Sequence, residues 1–331
     1  MIEWRAALRT TRLEVDISVI ICTYNRAESL RRTLQTCCDL VITAGVTWEL
    51  LVVDNNSTDA TKQVCNEFTG KLPLRYLFES RQGKSFALNQ GVVVATGDLL
   101  SFTDDDVDLA PNYLDELWQA AIKYPAVSVF GGKILPRWEN PPPRWMSDNA
   151  KLLLSGVTVH FDRGDVEHVL ADGKSVFYGA NMAIRKIIFE KGFRYREDLG
   201  LDGSRRIGAE DVEFMRAILT AGYKALYMPK AIVHHRNSRK RMAERYVREW
   251  FIGYGMSEVR CGAVNRSHCW FGAPRHAWKT VVLNGAKYLA TRWTCPSRVW
   301  LPAEIKMATT WGEITEMRRQ AILKNRENTK L

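Results

Sequence analysis

The 331 residues are 46% apolar and 25% charged, an ordinary globular balance that excludes a collagen, a coiled-coil rod or a mostly disordered chain. Nowhere do 18 apolar residues run together, and the N-terminal MIEWRAALRTTRLEV carries charge where a signal peptide needs an apolar core, so neither a membrane span nor secretion is expected. The seven cysteines include no CxxC pair, which argues for a reducing cytosol, and the net charge of +10 is uneven: residues 232–331 hold 19 basic and 7 acidic side chains, the rest 28 and 30.

The first half alternates strand and helix signals. Residues 17–22 (ISVIIC) form a wholly apolar, β-branched run of the buried parallel-strand type. Asn25 opens a helix pattern through Cys38, with Asn25 and Glu28 spaced as a cap. A second buried strand at 49–54 ends in NNSTD, and a helix follows at 60–68. Then come a strand at 74–78, a helix at 85–95 after the Gly83 turn, and a strand at 99–103 that ends in Asp104-Asp105-Asp106. Pro111 leads a helix at 112–123, and 127–131 is another strand. This alternation implies βαβ units and a parallel sheet, whose ligands sit beyond the C-terminal strand ends. Three strands end in polar residues (Thr23-Tyr24-Asn25, Asp54-Asn55-Asn56 and the acidic triplet), which predicts one site assembled from three loops.

Residues 135–173, with Pro141-Pro142-Pro143, read as a long irregular insert of the substrate-binding kind. Residues 176–184 look extended around Gly179-Ala180-Asn181; 210–221 read as a helix and 223–228 as a short strand before Pro229. From Arg239 the pattern is helical, broken at Pro274, Pro296 and Pro302, and holds six of the eleven tryptophans.

The residues that carry chemistry each have a bland alternative. Three adjacent carboxylates repel, so a fold that keeps them together supplies a cation, and hard oxygen ligands suit Mg²⁺ or Mn²⁺ bridging to a diphosphate; the alternative is a solvated acidic turn. Gly83-Lys84-Ser85 is no P-loop, because the required earlier glycine is Phe78; Lys84 either meets an anionic ligand or closes a turn. Glu210-Asp211 at a helix start is either dipole-compatible placement or a general base. Of His234-His235, on opposite faces if extended, at most one enters a site, as a metal contact or a polar strand end. Cys37-Cys38 reads as buried packing, and the Asn55, Asn56 and Asn265 sequons mean nothing without secretion.

Four blocks in order, SVIICTYNRAESLRRTL (18–34), ELLVVDNNSTDAT (49–61), RQGKSFALNQGVVVATGDLLSFTDDDVDLAPNYL (81–114) and the stretch from YGANMAIRKIIFEKGFRYREDLG to GAEDVEFMRAILTAGYKALYMPKAIVHH (178–235), resemble the family 2 glycosyltransferases. The resemblance spans residues 16–235 and departs from the common pattern at Cys22, where a proline is frequent. It implies an α/β GT-A fold: a Rossmann-like, mostly parallel sheet flanked by helices, with a helical C-terminal extension. The implied domains are 1–238, with a nucleotide half at 16–132 and an acceptor half at 133–238, and a basic, Trp-rich region at 239–331.

By this resemblance Thr23, Tyr24 and Asn25 match the first nucleotide-binding loop, Asp54 the acid that meets the donor base, and Lys84 and Asn89 the donor lining. Asp104 and Asp106 match the ends of the DxD motif. Asp106 is the implied metal ligand, Asp104 serves the ribose or the metal's shell, and Asp105 shares either role. Gly179, Ala180 and Asn181 match the segment bordering donor sugar and acceptor. Asp211, beside Glu210, matches the catalytic base, and His235 a third metal contact.

The implied activity is transfer of a hexosyl group from a nucleotide-sugar donor, expected to be a UDP-sugar, to a hydroxyl of a glycan or lipid-linked acceptor. It inverts the anomeric configuration, needs Mn²⁺ or Mg²⁺, and serves cell-surface polysaccharide or glycolipid assembly. The expected location is cytoplasmic, peripheral on the inner face of the cell membrane, where the basic tail meets an anionic surface. Two other classes compete: a non-catalytic nucleotide-sugar-binding protein, and a nucleic-acid binder using the tail. The scattered basic residues match no nucleic-acid reading motif, so no such partner is expected.

Overall fold

The computed structural model describes residues 15–153, 156–170, 176–201, 207–264 and 269–328. The charged N-terminal stretch before Val15 and the Asn265 sequon lie outside them.

Strands β1 (Ile17–Thr23) and β2 (Trp48–Asp54) are apolar along nearly their whole length because helices cover both faces of the sheet. They join β3 (Leu74–Phe78) and β4 (Leu99–Asp104) in the parallel order β3-β2-β1-β4. The crossovers are α1 (Ala27–Cys38), α2 (Thr61–Glu67) and α3 (Lys84–Val94). Helix α1 buries Leu30, Thr33, Leu34 and Cys37, one stripe at helical spacing, while Cys38 points outward, so only half of the cysteine pair is packing. The expected Asn25 cap is replaced: Asp59, from the loop after β2, accepts the Ala27 backbone N–H at 2.9 Å.

After β4 the chain turns at Asp105-Asp106 into the short β5 (Val107–Leu109) and α4 (Tyr113–Lys123). The sheet continues with antiparallel strands, in the order β4-β8-β6-β9-β5, where β6 is Val129–Trp138, β8 Met182–Arg185 and β9 Ala225–Asn237; β7 (His168–Val169) also pairs with β9. Two strands are longer than the sequence suggested. Strand β6 runs on to Trp138, and Ile134 is bridged to Phe161. Strand β9 passes through Pro229 because the partner changes there: β7 pairs at Leu226 and Tyr227, β5 at Val233–His235. The stretch expected to be irregular carries the short helices α5 (Arg144–Ser147) and α6 (Ala150–Leu153), and α7 (Lys186–Glu190) follows β8.

Among the described residues the chain forms two compact units. One comprises Met1–Leu135, Phe161–Tyr195 and Phe214–His235; the other comprises Pro136–His160, Arg196–Glu213 and Arg236–Leu331. Helix α8 is Glu210–Thr220. In the second unit a 3₁₀ turn (Arg239–Met242) leads to α9 (Glu244–Arg260), a hairpin of β10 (Cys269–Trp270) and β11 (Ala273–Pro274), α10 (Arg275–Thr291) and α11 (Ser297–Asn328). Pro274 and Pro296 precede helices as expected; Pro302 lies inside α11, in its second turn, and does not end the helix although it forfeits a backbone bond and crowds the preceding turn.

Much of the tryptophan content of this unit is packing. Trp300 is buried with Met146, Leu153, Tyr246 and Leu301, and Trp138, Trp145 and Trp250 close around them. Helices α9 and α11 cross at two glycines: a Cβ on Gly255 would lie 2.0 Å from the Thr309 carbonyl oxygen, and one on Gly312 would lie 2.0 Å from that of Ile252. Among the described residues no helix is long and apolar enough to cross a membrane.

Candidate active site

The parallel register sets Thr23 beside Asp54 and Cys22 beside Asp104, so the polar ends of β1, β2 and β4 meet along one sheet edge. The acidic triplet stands at the corner where the chain leaves the parallel half. Here β5 pairs with β9 so that Val107 faces His235, which brings the buried imidazole Nε2 to 3.2 Å from Asp106 Oδ1. His234, one residue earlier, is only half-buried. One ligand atom each from Asp104, Asp106 and His235 lie within 4.8 Å of one another. Two carboxylates and an imidazole form a hard, oxygen-rich donor set of the kind Mg²⁺ and Mn²⁺ accept.

Side chains also compensate the triplet. The Arg26 guanidinium reaches Asp105 Oδ1 at 2.8 Å and Asp106 Oδ2 at 2.7 Å, and Lys84 Nζ reaches Asp104 Oδ1 at 2.8 Å. Complete burial pushes the Asp105 carboxyl up to about 6; Arg26 opposes the rise, Asp106 adds to it, and a 2.8 Å hydrogen bond from the Thr23 hydroxyl opposes it again. Helix α1 braces the same corner: Ser29 donates to the Asp105 carbonyl at 2.8 Å and Thr33 to that of Val107 at 2.9 Å. Sequence reasoning missed Arg26, a basic residue of the first loop whose carboxylate partners are identified only by the fold.

The second loop is held by its own side chains. Asp54 accepts from the Ser57 backbone N–H and the Tyr76 hydroxyl, both at 2.8 Å. Asn55, buried and therefore no glycan acceptor, donates to the Arg81 carbonyl at 2.7 Å and accepts from the Gly83 N–H at 2.8 Å. Gly83, at φ 141, uses a conformation that side chains disfavour, and Lys84 then begins α3. Asn25 and Asn56 take left-handed conformations, φ 50 and 67, that asparagine tolerates. The Asn25 side chain accepts from the Thr58 N–H at 2.7 Å, which ties the first two loops together, and Tyr24 is half-buried beside it in the chain.

Three further expected site residues serve the framework. Asn89 donates to the Tyr195 carbonyl at 2.9 Å and accepts from its N–H at 3.0 Å. Asn181, fully buried, donates to the carbonyls of Lys133 and Ala231, both at 2.9 Å, and among the described residues its own side-chain oxygen has no hydrogen-bond donor. The Ala180 carbonyl accepts from Thr103 at 2.9 Å, which fastens the Gly179–Asn181 segment to β4. Glu210 and Asp211 begin α8 in the second unit. Ala209 before them is held at φ 67, Glu210 is buried, and half-buried Asp211 accepts the Val212 N–H at 2.8 Å. A left-handed alanine costs about 1 kcal/mol, and such strain clusters at functional sites.

The model of "Glycosyl transferase family 2" matches residues 18–193, more than half of the chain. The chain belongs to glycosyl transferase family 2. This family 2 glycosyltransferase is 25% identical over 279 residues to the succinoglycan biosynthesis protein ExoM of Rhizobium meliloti, covering 83% of this chain and 82% of that one. It is 23% identical over 227 residues to the glucosyl-dolichyl phosphate glucuronosyltransferase of Haloferax volcanii, covering 67% and 69%. Among solved structures it resembles the mannosyltransferase PcManGT from Pyrobaculum calidifontis in complex with GDP-Man and Mn²⁺, with a TM-score of 0.58, 19% identity and coverage of 94% and 93%. It also resembles residues 1–349 of S. aureus TarS in complex with UDP-GlcNAc, with a TM-score of 0.55, 17% identity and coverage of 93% and 92%. These likenesses establish the GT-A fold of the glycosyltransferase.

Proposed function

We propose that this glycosyltransferase moves a hexosyl group from a nucleoside diphosphate sugar, with UDP as the nucleotide, to an acceptor hydroxyl in cell-surface polysaccharide or glycolipid assembly, and that it inverts the anomeric centre. The observation that carries the reading is the convergence of Asp104, Asp106 and His235 ligand atoms within 4.8 Å beyond the end of β4. The names of the relatives support the acceptor class: one acts on a glucosyl-dolichyl phosphate and the other serves succinoglycan biosynthesis. The structural neighbours carry nucleotide sugars, one of them with Mn²⁺.

In this reading Asp104, Asp106 and His235 hold a divalent cation, Mn²⁺ or Mg²⁺, which when bound neutralises charge on the departing diphosphate. Thr23, Tyr24 and Asn25 line the nucleoside, and Asp54 accepts from the base; a carboxylate offers about four lone-pair sites, so its two existing partners leave room. Asp105 and Lys84 set the charge around the donor phosphates. Asn89 acts by fixing the Tyr195 backbone, and Gly179, Ala180 and Asn181 form a rigid border for sugar and acceptor. Asp211 takes the proton of the acceptor hydroxyl, which attacks the anomeric carbon opposite the leaving group, and buried Glu210 positions the start of the helix. Residues 1–238 form the catalytic domain and 239–331 an accessory region, working on the cytoplasmic face of the membrane.

A thermal-shift panel tests this: UDP, GDP, dTDP, CMP and ADP, each with Mn²⁺, Mg²⁺ or EDTA. A ligand at 100 times its dissociation constant adds about 2.7 kcal/mol of stability, a shift of several degrees at this size. The expected result is a metal-dependent shift with UDP. A shift with another nucleotide corrects the donor, and no shift with any of them overturns the reading.

A further inference from the structure

Residues 259–303 contain no aspartate or glutamate, yet hold seven lysines and arginines. Helix α10 runs through this acid-free stretch. Its inner face is satisfied: Ala277, Trp278 and Val281 pack with Val259, Ile314 and Met317, and Tyr288 packs against the Trp300 cluster. Its outer face carries a second apolar stripe at helical spacing, with Val282 67%, Leu283 56% and Leu289 71% exposed, continuing to Trp293 at 84%. An isolated exposed leucine needs no explanation, but a stripe over three turns does. Exposed Arg275, Lys279 and Lys287 flank it, and among the described residues none of the three has an acidic partner.

The hairpin before α10 extends this face. Its two-residue turn places Phe271 at φ 49 and Gly272 at φ 80, and the Phe271 ring is 72% exposed. Such turns take Asn, Asp or Gly at the first position, and a bulky residue there costs roughly 1 kcal/mol or more. Strain is thus spent on holding an aromatic ring out into solvent. Trp270 beside it stacks under Arg275, the first residue of the α10 face, with the guanidinium 5.2 Å from the ring centre.

We propose that the outer face of α10 and the Phe271 tip form the surface by which the protein docks on an anionic lipid bilayer. The apolar side chains enter the headgroup–acyl boundary, and Arg275, Lys279 and Lys287 meet lipid phosphates. An apolar stripe edged by cations complements an anionic surface, and the Glu244 carboxylate at its far end is already paired with Arg292 at 2.7 Å, whereas a second copy of the same face would oppose cation to cation. The proposal deepens the membrane-side reading of the function and stands on geometry remote in sequence from the donor loops.

Flotation of the full chain with vesicles of phosphatidylcholine alone, or mixed with phosphatidylglycerol, at low and high salt tests it. Wild type should float with the anionic vesicles at low salt and not with the neutral ones. A double variant, Phe271→Ser with Trp293→Ser, should bind about tenfold or more weakly, since each buried apolar side chain contributes roughly a factor of ten to partitioning. Lys279→Gln with Lys287→Gln should lose the salt-sensitive part. All these positions are exposed, so the variants keep the fold, and the nucleotide-induced thermal shift without vesicles should equal that of wild type. Failure of wild type to float, or unchanged floating of the double variant, overturns the docking surface; the nucleotide shift still reports on the donor site separately. A concentration-dependent dimer abolished by the double variant, with no vesicle binding, overturns it in favour of a second copy.

Discussion

Arg26 donates to Asp106 at 2.7 Å, joining the loop that ends β1 to the loop that ends β4, on the very carboxylate that His235 approaches from the other side. Asp105 and Asp106 are buried, and removing their cation leaves uncompensated charge. Arg26→Ala is therefore expected to lower stability in EDTA by about 1–3 kcal/mol. Mn²⁺ should restore more stability to the variant than to wild type, because it then replaces the compensation that Arg26 gave Asp106. Urea unfolding with EDTA and with Mn²⁺ checks both. Equal stability of the two proteins in EDTA would show that the pair contributes nothing.

Asp211→Asn is expected to cut turnover roughly 10²-fold or more, the usual contribution of a general base, with nucleotide binding retained. The substitution keeps shape and keeps an acceptor for the Val212 N–H, so the start of α8 should survive. A transfer assay beside the UDP thermal shift separates the outcomes. Near-normal turnover removes Asp211 from the role, and loss of both readouts points to a structural effect instead.

The centre of the parallel half was legible because β1 and β2 are nearly continuous apolar runs that end in polar clusters, and helix α1 because four positions at helical spacing are buried. Strand β9 was not: its burial alternates, Pro229 breaks the local strand pattern though not the strand, and it pairs with segments far away in the chain. The same holds at the site. That Asp104–Asp106 end a strand was readable, but the approach of His235 depends on β5–β9 register, and local sequence does not encode such pairing. Arg26 escaped notice because one arginine in a polar loop is unremarkable until its carboxylates are located.

Glu49 anchors the opposite end of the sheet. It accepts from the Ser18 hydroxyl, the Thr96 hydroxyl and the Thr96 N–H, each at 2.7 Å, and from Arg75 at 2.8 Å. Burial alone would raise its carboxyl, but these bonds outweigh it and hold the group below its ordinary value. A lowered folded value means the stabilisation is complete above the ordinary carboxyl range and fades as pH falls through the folded value. Glu49→Gln should cost about 1.5–3 kcal/mol at neutral pH, the range for hydrogen bonds to a charged group. The gap from wild type should narrow in acid, below about pH 4. Urea midpoints at neutral and acid pH test this, and a gap independent of pH would contradict it.

The crossing of α9 and α11 makes a prediction whose sign differs between neighbouring glycines. At Gly255 and Gly312 a methyl would meet backbone carbonyl oxygens at 2.0 Å, so the two helices would have to separate. Overpacking of this kind costs about 1–3 kcal/mol or more, which exceeds the roughly 1 kcal/mol an alanine adds in helix propensity. Gly285 on α10 differs: the nearest atom to an added methyl is the Met307 sulfur at 3.3 Å, the far part of a flexible side chain. Gly255→Ala and Gly312→Ala should therefore lower the melting temperature, whereas Gly285→Ala should leave it unchanged or raise it. Calorimetry of the three variants decides the matter. If all three shift alike, helix propensity governs these positions; opposite signs identify the glycine crossing as the contact that lets the two long helices pack.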